Sequence, residues 1–434
     1  MNRKHLTKIA GGAAALGLAA TALTGCGGGS ASAPTGGGDG ETDTITLLTF
    51  FDPAGTSGRE TGFKQVVDAF TAETGITVEY TTFPWDRLES QLLLSVQSGR
   101  APDVAFVRDR SLEQLIAAGA LESLNPRIDA DLDADYIDDF VTLQGTTADD
   151  EVYGFPISVV GTALYLREDM LASAGVSAPA TWDEFVAVGE AVQTPATKGF
   201  LFNGSQTQPN QLDFLQSLIE GRGGQVLDED GRAAFNSEAG VEAFEFLKAS
   251  VFDYEISPAD VSTLSYDQVT DSFNAGRGAM TINGSHRYSV LSDGVGAENL
   301  GVSMIPGMTA DAPSPTVVSS WSLGIPQGAQ YSDAAWQFIE FFSSAEQVLE
   351  YAKASGEVPS KKSVLEDPFF ADREVTRFFS EYIAEYGSPA VVGPANTQLN
   401  DIIARTVQRV VSSADSDVQA LLDAAAAEYD AIVD

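Results

Sequence analysis

Cysteine is almost absent, with Cys26 alone among 434 residues. No disulfide can form within the chain, so the stability of its folded part must come from burial. Histidine is nearly as scarce, occurring only as His5 and His286. With no G-x-S-x-G or H-E-x-x-H segment either, Ser-His-Asp hydrolysis and zinc hydrolysis lack their parts. Positive charge is also in short supply, 24 Lys and Arg standing against 62 Asp and Glu for a net charge of −38. Such a surface repels nucleic acid and other polyanions. Five lysines follow Thr197 and none sits in a Gly-rich phosphate loop, which argues for neutral rather than phosphorylated ligands. Beyond the first 25 residues no apolar run approaches the length of a membrane-spanning helix.

What is present starts at the N-terminus. Arg3, Lys4 and Lys8 precede an apolar Ala/Gly/Leu-rich run over residues 9 to 22, the layout of an export leader too short to span a membrane. Leu23-Thr24-Gly25 then leads into Cys26. Small residues before a lone cysteine resemble the lipobox of bacterial lipoproteins, which implies removal of residues 1 to 25 and acylation (palmitate) of Cys26. Each buried methylene contributes about 0.8 kcal/mol and stable anchoring takes more than one chain. Residues 26 to 42, Gly/Ser/Pro-rich and aperiodic, read as the lipidated cysteine and a flexible tether. The expected location is outside the cell, on its membrane through the lipid anchor only. A plain secretory leader is the alternative.

The remaining chain of about 400 residues exceeds what one hydrophobic core serves, so two lobes are expected. Phe63, Val66, Val67 and Phe70 follow the spacing of an amphipathic helix that Gly75 closes. Ile76, Val78 and Tyr80 alternate as a strand, and Asp103 to Val107 forms the next. Alternating strands and helices imply an α/β fold with a largely parallel sheet, whose ligands collect beyond the strands' carboxyl ends. A strand over Thr162 to Leu166 follows a crossing near 157 to 161, and Val317 to Ile325 returns the chain. Thr181 with Glu184 forms a capping box. Further helices are expected near 210 to 220, 237 to 250, 332 to 342, 372 to 386, 396 to 412 and 415 to 432. The acidic run from Asp129 to Asp139 has Ala134 where a calcium loop needs glycine and Phe140 where it needs Glu. It reads as a solvated loop, and no metal or cofactor is expected.

Several separated segments agree with one family. GRAPDV at Gly99 to Val104, Thr181-Trp182-Asp183-Glu184-Phe185, Gly278 to Gly284, Trp336 to Phe342 with Gly356-Glu357-Val358-Pro359, and Val418 to Leu422 resemble extracellular solute-binding proteins of ABC importers. The similarity is to their carbohydrate-binding family 1, which includes the maltose-binding protein. It implies a two-lobe periplasmic-binding-protein-like fold with hinge crossings and an interlobe cleft. Lobe I would hold residues 43 to 157 plus 322 to 362, and lobe II residues 158 to 321 plus 363 to 434.

The resemblance also implies a function, the capture of a neutral mono- or oligosaccharide and its delivery by lobe closure to the permease subunits of an ABC transporter. It implies a monomer and no enzyme activity. A secreted carbohydrate-active enzyme using two carboxylates, or a sugar-sensing lipoprotein without transport, are the alternatives. A sugar site needs polar partners for hydroxyls and aromatic faces for the ring. The expected ligand-binding residues are Phe51 and Asp52 after the first strand, Trp85, the Asp109-Arg110 pair, and Asn203, Gln206, Gln208 and Asn210 in a polar loop. His286 stands where the family has a stacking tryptophan, Ser320 and Trp321 lie at the return crossing, and Arg405 matches a family arginine. A surface ion pair is the alternative for Asp109-Arg110 and a solvated loop for Asn203 to Asn210, while Trp321 reads equally as core and His286 as a bystander at the rim. Val160 replaces an acidic family residue and Asp401 an aromatic one, which argues against maltodextrin itself.

Overall fold

A computed structural model describes residues 42–434 apart from residues 144, 372 and 394. The expected leader, Cys26 and nearly all of the expected tether lie outside the described residues. The chain opens with β1 (Thr44–Thr49), a helix (Gly58–Thr74) and β2 (Thr77–Thr82), then β3 (Val104–Arg108). A small hairpin of β4 (Thr147–Ala148) and β5 (Glu151–Val152) precedes the 13-residue β6 (Phe155–Arg167). There follow β7 (Lys198–Leu201), β8 (Gly278–Gly284), β9 (Leu300–Ser303), β10 (Thr316–Gly324), β11 (Val358–Pro359) and β12 (Gly387–Pro389). Helices fill most of the remaining chain.

A ten-stranded sheet runs in the order β2-β1-β3-β10-β6-β8-β7, with β9 and β11 added to β6 and β12 to β10. Its outer parts are parallel, β1 with β2 and β3, and β7 with β8. The middle is antiparallel, because β6 carries the chain away from the first strands and β10 brings it back. The largely parallel expectation therefore fails at the crossings. The sequence reading also divides β6 at Gly161, whereas the strand runs through, buried from Phe155 to Leu166. A Cβ at Gly161 would come within 3.0 Å of Thr316 Oγ1 and 3.1 Å of Ile383, so glycine lets these neighbours close over an unbroken strand.

Two large cores flank the crossings. In the first, Phe63, Val66, Val67 and Phe70 bury one helix face as their spacing requires. The Phe63 ring meets Phe106 and Phe342, and the Phe70 ring Phe338, at centroid distances of 5.1 to 5.3 Å. Ser57 and Glu60 form a reciprocal capping box at this helix's start, and Gly75 ends it at φ 79°, conformations that an L side chain at Gly75 would resist. The second core gathers Trp182, Phe185, Phe200, Phe214 and Phe246 with the C-terminal helices Asn396–Val410 and Val418–Val433. Thr181 and Glu184 cap the helix Trp182–Ala191 in both directions, as expected.

At the crossing, the pairing of β10 with β6 shifts register between Trp321 and Ser322, where Trp321 pairs with Ser158 and Ser322 with Pro156. Ile157 is the extra residue. Proline lacks the N–H a ladder needs and is tolerated at such bulges, which also re-aim neighbouring side chains.

Candidate functional site

Segments from both cores converge on a cavity of about 250 Å³. Phe50 follows β1, Arg108 ends β3, Ser320 and Trp321 lie in β10, and His286 and Arg287 occupy the turn after β8. Arg59 comes from the first turn of the helix Gly58–Thr74, Asn210 and Asp213 from the start of the helix Gln211–Glu220, and Tyr266 and Asp267 from that of the helix Tyr266–Asn274. A second cavity of about 460 Å³ shares Trp85, Arg108 and Trp321 and continues past Arg110, Gln206, Gln208, Asn400 and Asp401. Together they form a cleft at strand ends, where α/β sheets place ligands.

Aromatic faces line the inner cavity. The Trp321 ring packs edge-on against Phe50 at 4.9 Å, and the Arg108 guanidinium lies 5.5 Å from the centre of Trp85. Arg287 sits 4.3 Å from the centre of the Tyr266 ring and pairs with Asp267 at 2.5 Å. Arg59 pairs with the buried Glu357 at 2.5 Å. Arg108 is held differently, donating to the amide oxygen of Asn210 at 3.1 Å with Asp213 at 3.7 Å. Asp213 gives its close contact, 2.5 Å, to Arg110.

His286 Nε2 lies 3.0 Å from the Tyr266 hydroxyl. Burial, and then the charges of Arg59, Arg287 and Arg108, push this imidazole well below its ordinary 6.5, so it is neutral at physiological pH. Gly284 makes room for it, because a Cβ there would stand 2.6 Å from the ring and 3.0 Å from Val160. Ser320 Oγ is buried with no hydrogen-bond partner among the described residues and lines the cavity.

Of the expected residues, Trp85, Asn210, His286, Ser320 and Trp321 line the inner cavity, and Arg110, Gln206 and Gln208 the outer one. The others lie elsewhere. Phe51 points into the first core against Phe63 and Phe106, and its neighbour Phe50 faces the cavity instead. The sequence leaves that parity open, since a slip of one residue exchanges the faces of an extended segment. Asp52 is exposed and accepts from the backbone of Ala54 at 2.8 Å, capping its own turn.

Asp109 is buried behind the wall, where its carboxylate accepts from the backbone N–H of Ser320 at 3.0 Å and of Arg110 at 2.7 Å. Burial raises its pKa, opposed by Arg110, Arg108 and these two donors. Asn203 is buried and lines neither cavity. Arg405 pairs with Glu428 at 2.8 Å, with both side chains substantially exposed. Asp401, four residues earlier on the same helix, reaches the outer cavity in its place.

The reading from sequence missed Arg59, Arg108, Asp213, Tyr266, Asp267 and Arg287. Arg108 and Arg287 adjoin chosen residues and could have been found by taking each strand-end turn whole. Arg59 and Asp213 carry no local signal, because their partners Glu357 and Arg110 are distant in sequence.

Residues 65–376 match the family described as bacterial extracellular solute-binding protein. The galactooligosaccharide-binding protein of Bacillus subtilis (strain 168) is 22% identical over 377 residues, covering 85% of this chain and 86% of that one. Among solved structures, a solute-binding protein of an ABC transporter from Thermotoga lettingae bound with alpha-D-tagatose superposes with a TM-score of 0.80 at 21% identity, over 91% of this chain and 100% of that one. Maltose-bound MalE3 of T. maritima gives a TM-score of 0.78 at 22% identity, over 90% and 99%.

Proposed function

The chain belongs to the bacterial extracellular solute-binding protein family, and on that premise we propose that it captures a sugar outside the cell and delivers it to an ABC permease by closing two lobes. The observation that carries the reading is the cleft itself, whose walls combine the rings of Trp85, Trp321, Tyr266 and Phe50 with directed donors and acceptors. Aromatic faces cover the apolar faces of a pyranose, and polar side chains take its hydroxyls. The ligands named for the B. subtilis, T. lettingae and T. maritima relatives, a galactooligosaccharide, tagatose and maltose, support the same class.

Lobe I comprises residues 43 to 157 and 322 to 362, and lobe II residues 158 to 321 and 363 to 434. The limits at 157/158 and 321/322 fall at the bulged crossing of β6 with β10, where a small rotation moves the lobes without repacking either core. Contacts from both walls favour the closed form, because a ligand shifts an equilibrium only by its differential affinity for the two states. The protein works as a monomeric binding component without catalysis, its wall residues holding sugar and moving no covalent bond.

Two measurements test this reading. In a thermal-shift screen, a cognate sugar at 100 times its dissociation constant adds about 2.7 kcal/mol of stability. A screen in which no saccharide shifts the transition while a non-sugar solute does overturns the assignment. Cys26 with its leader further supports lipid anchoring, for which Cys26→Ser is expected to release the protein from the membrane fraction. Unchanged fractionation of that variant removes the anchor.

A further inference from the structure

The inner cavity reverses the charge balance of the chain. Across the sequence, acidic residues outnumber basic ones 62 to 24, yet this wall carries three guanidiniums, Arg59, Arg108 and Arg287, against two carboxylates, Asp213 and Asp267. Two of the guanidiniums are matched, Arg59 by Glu357 and Arg287 by Asp267. Arg108 is not. Its hydrogen-bond partner is the neutral amide of Asn210, and the nearest carboxylate, Asp213, stands at 3.7 Å while engaged by Arg110 at 2.5 Å. Asp109, buried behind the wall, also attracts both arginines, but its carboxylate accepts from the backbone N–H groups of Ser320 and Arg110, so no carboxylate hydrogen-bonds Arg108, which faces the cavity over Trp85.

Three further observations agree. Burial, and then the charges of Arg59, Arg287 and Arg108, keep His286 neutral, so it adds no positive charge of its own beside the three guanidiniums that line this cavity. Arg287, on the opposite wall, has its buried Nε without a hydrogen-bond partner among the described residues. Ser320 Oγ, unpartnered and in a residue 3% exposed, offers a third donor into the same space. A monoanion would satisfy these groups, since charge-assisted bonds from guanidinium to carboxylate are the strong kind and an unmatched buried charge is costly.

Resting on the sugar-binding reading above, we propose that the sugar this cleft takes is an acidic one, a uronate or aldonate whose carboxylate is received between Arg108 on the first lobe and Arg287 on the second. Aromatic faces then hold the ring, as for any sugar. The carboxylate adds a bridge between lobes that exists only when they are closed, so it favours closure as well as affinity. A single guanidinium without a hydrogen-bonded carboxylate suits a monoanionic carboxylate better than a phosphate dianion, and the low lysine content points the same way. This departs from the neutral ligand inferred from lysine scarcity, because arginine, not lysine, supplies the charge.

The test is isothermal titration of the full chain with matched pairs that differ only in carbon 6, glucose against glucuronate and galactose against galacturonate. Glucose 6-phosphate and a non-sugar carboxylate, succinate, are titrated alongside. For at least one pair, the uronate is expected to bind at least about tenfold more tightly than its hexose, with the margin shrinking as salt is raised. Asn210→Asp, nearly isosteric, gives Arg108 a carboxylate partner and should cut that ratio by about tenfold; Arg108→Gln should do the same by removing the charge. A hexose or glucose 6-phosphate that outbinds every uronate overturns the acidic ligand and leaves sugar binding standing. Succinate outbinding every sugar overturns both. A uronate preference that survives both substitutions overturns the role of Arg108.

Discussion

A buried imidazole facing three guanidiniums resists protonation, and this sets the pH response of His286. Its folded pKa lies well below 6.5, driven first by burial and then by Arg59, Arg287 and Arg108. As pH falls through about 6.5 the unfolded chain binds a proton at this residue and the folded chain does not, so stability is lost on that side and the group contributes nothing above it. Carboxyls with raised pKa values, Glu122 and Glu220 among them, act in the opposite sense. Comparison with His286→Gln therefore isolates the histidine. The parent is expected to lose more stability than the variant between roughly pH 7.5 and about 5.5 in thermal denaturation. Parallel pH profiles would show that the imidazole protonates freely in the folded state. The same residue illustrates how far the site was legible. Its place after a strand end could be read from the pattern Gly278 to Gly284, but the arginines around it come from three other segments, and no periodicity records which segments a fold brings together.

The turn Asp109–Ser111 joins β3 to the rest of the first lobe, and one carboxylate ties it to the return strand. Asp109 accepts from the N–H of Ser320 in β10 and from Arg110. Asp109→Ala would leave two buried donors without an acceptor, at a cost of about 1–3 kcal/mol. The expected outcome is a lower denaturation midpoint, with weaker ligand binding only as far as Ser320 and Trp321 shift. Loss of sugar affinity at unchanged stability would instead place this carboxylate on the ligand. Elements of this size were largely legible. The helix spacing of Phe63 to Phe70, the capping box at Thr181 and the terminal helices follow from period and caps, which are local properties. The antiparallel crossing of β6 and β10 was not, since their register is fixed by a bulge at Ile157 that only the partner strand defines. Phe50 and Phe51 were exchanged for the same reason.

At the scale of the molecule, closure depends on what the lobes hold when they meet. Arg110, 2% exposed, leaves the first lobe to pair with Asp213 at 2.5 Å and donates to the carbonyl oxygen of Val391 at 3.2 Å, while Asn396 donates to the carbonyl oxygen of Arg110 at 2.6 Å. Asp213 and Asn396 belong to helices of the second core. If the proposed opening rotation pulls these groups apart, the pair stabilises the closed form in particular. Removing one partner of a buried pair costs about 3–5 kcal/mol, and each 1.4 kcal/mol taken from the closed state raises the ligand needed about tenfold. Asp213→Asn is therefore expected to enlarge the ligand-free radius of gyration in small-angle scattering and to demand at least about tenfold more sugar for the compact form. The contrary outcome is distinct. A variant that denatures more easily yet keeps the parental radius, with and without sugar, means that Arg110 and Asp213 stay joined in both forms and that the rotation axis passes beside them.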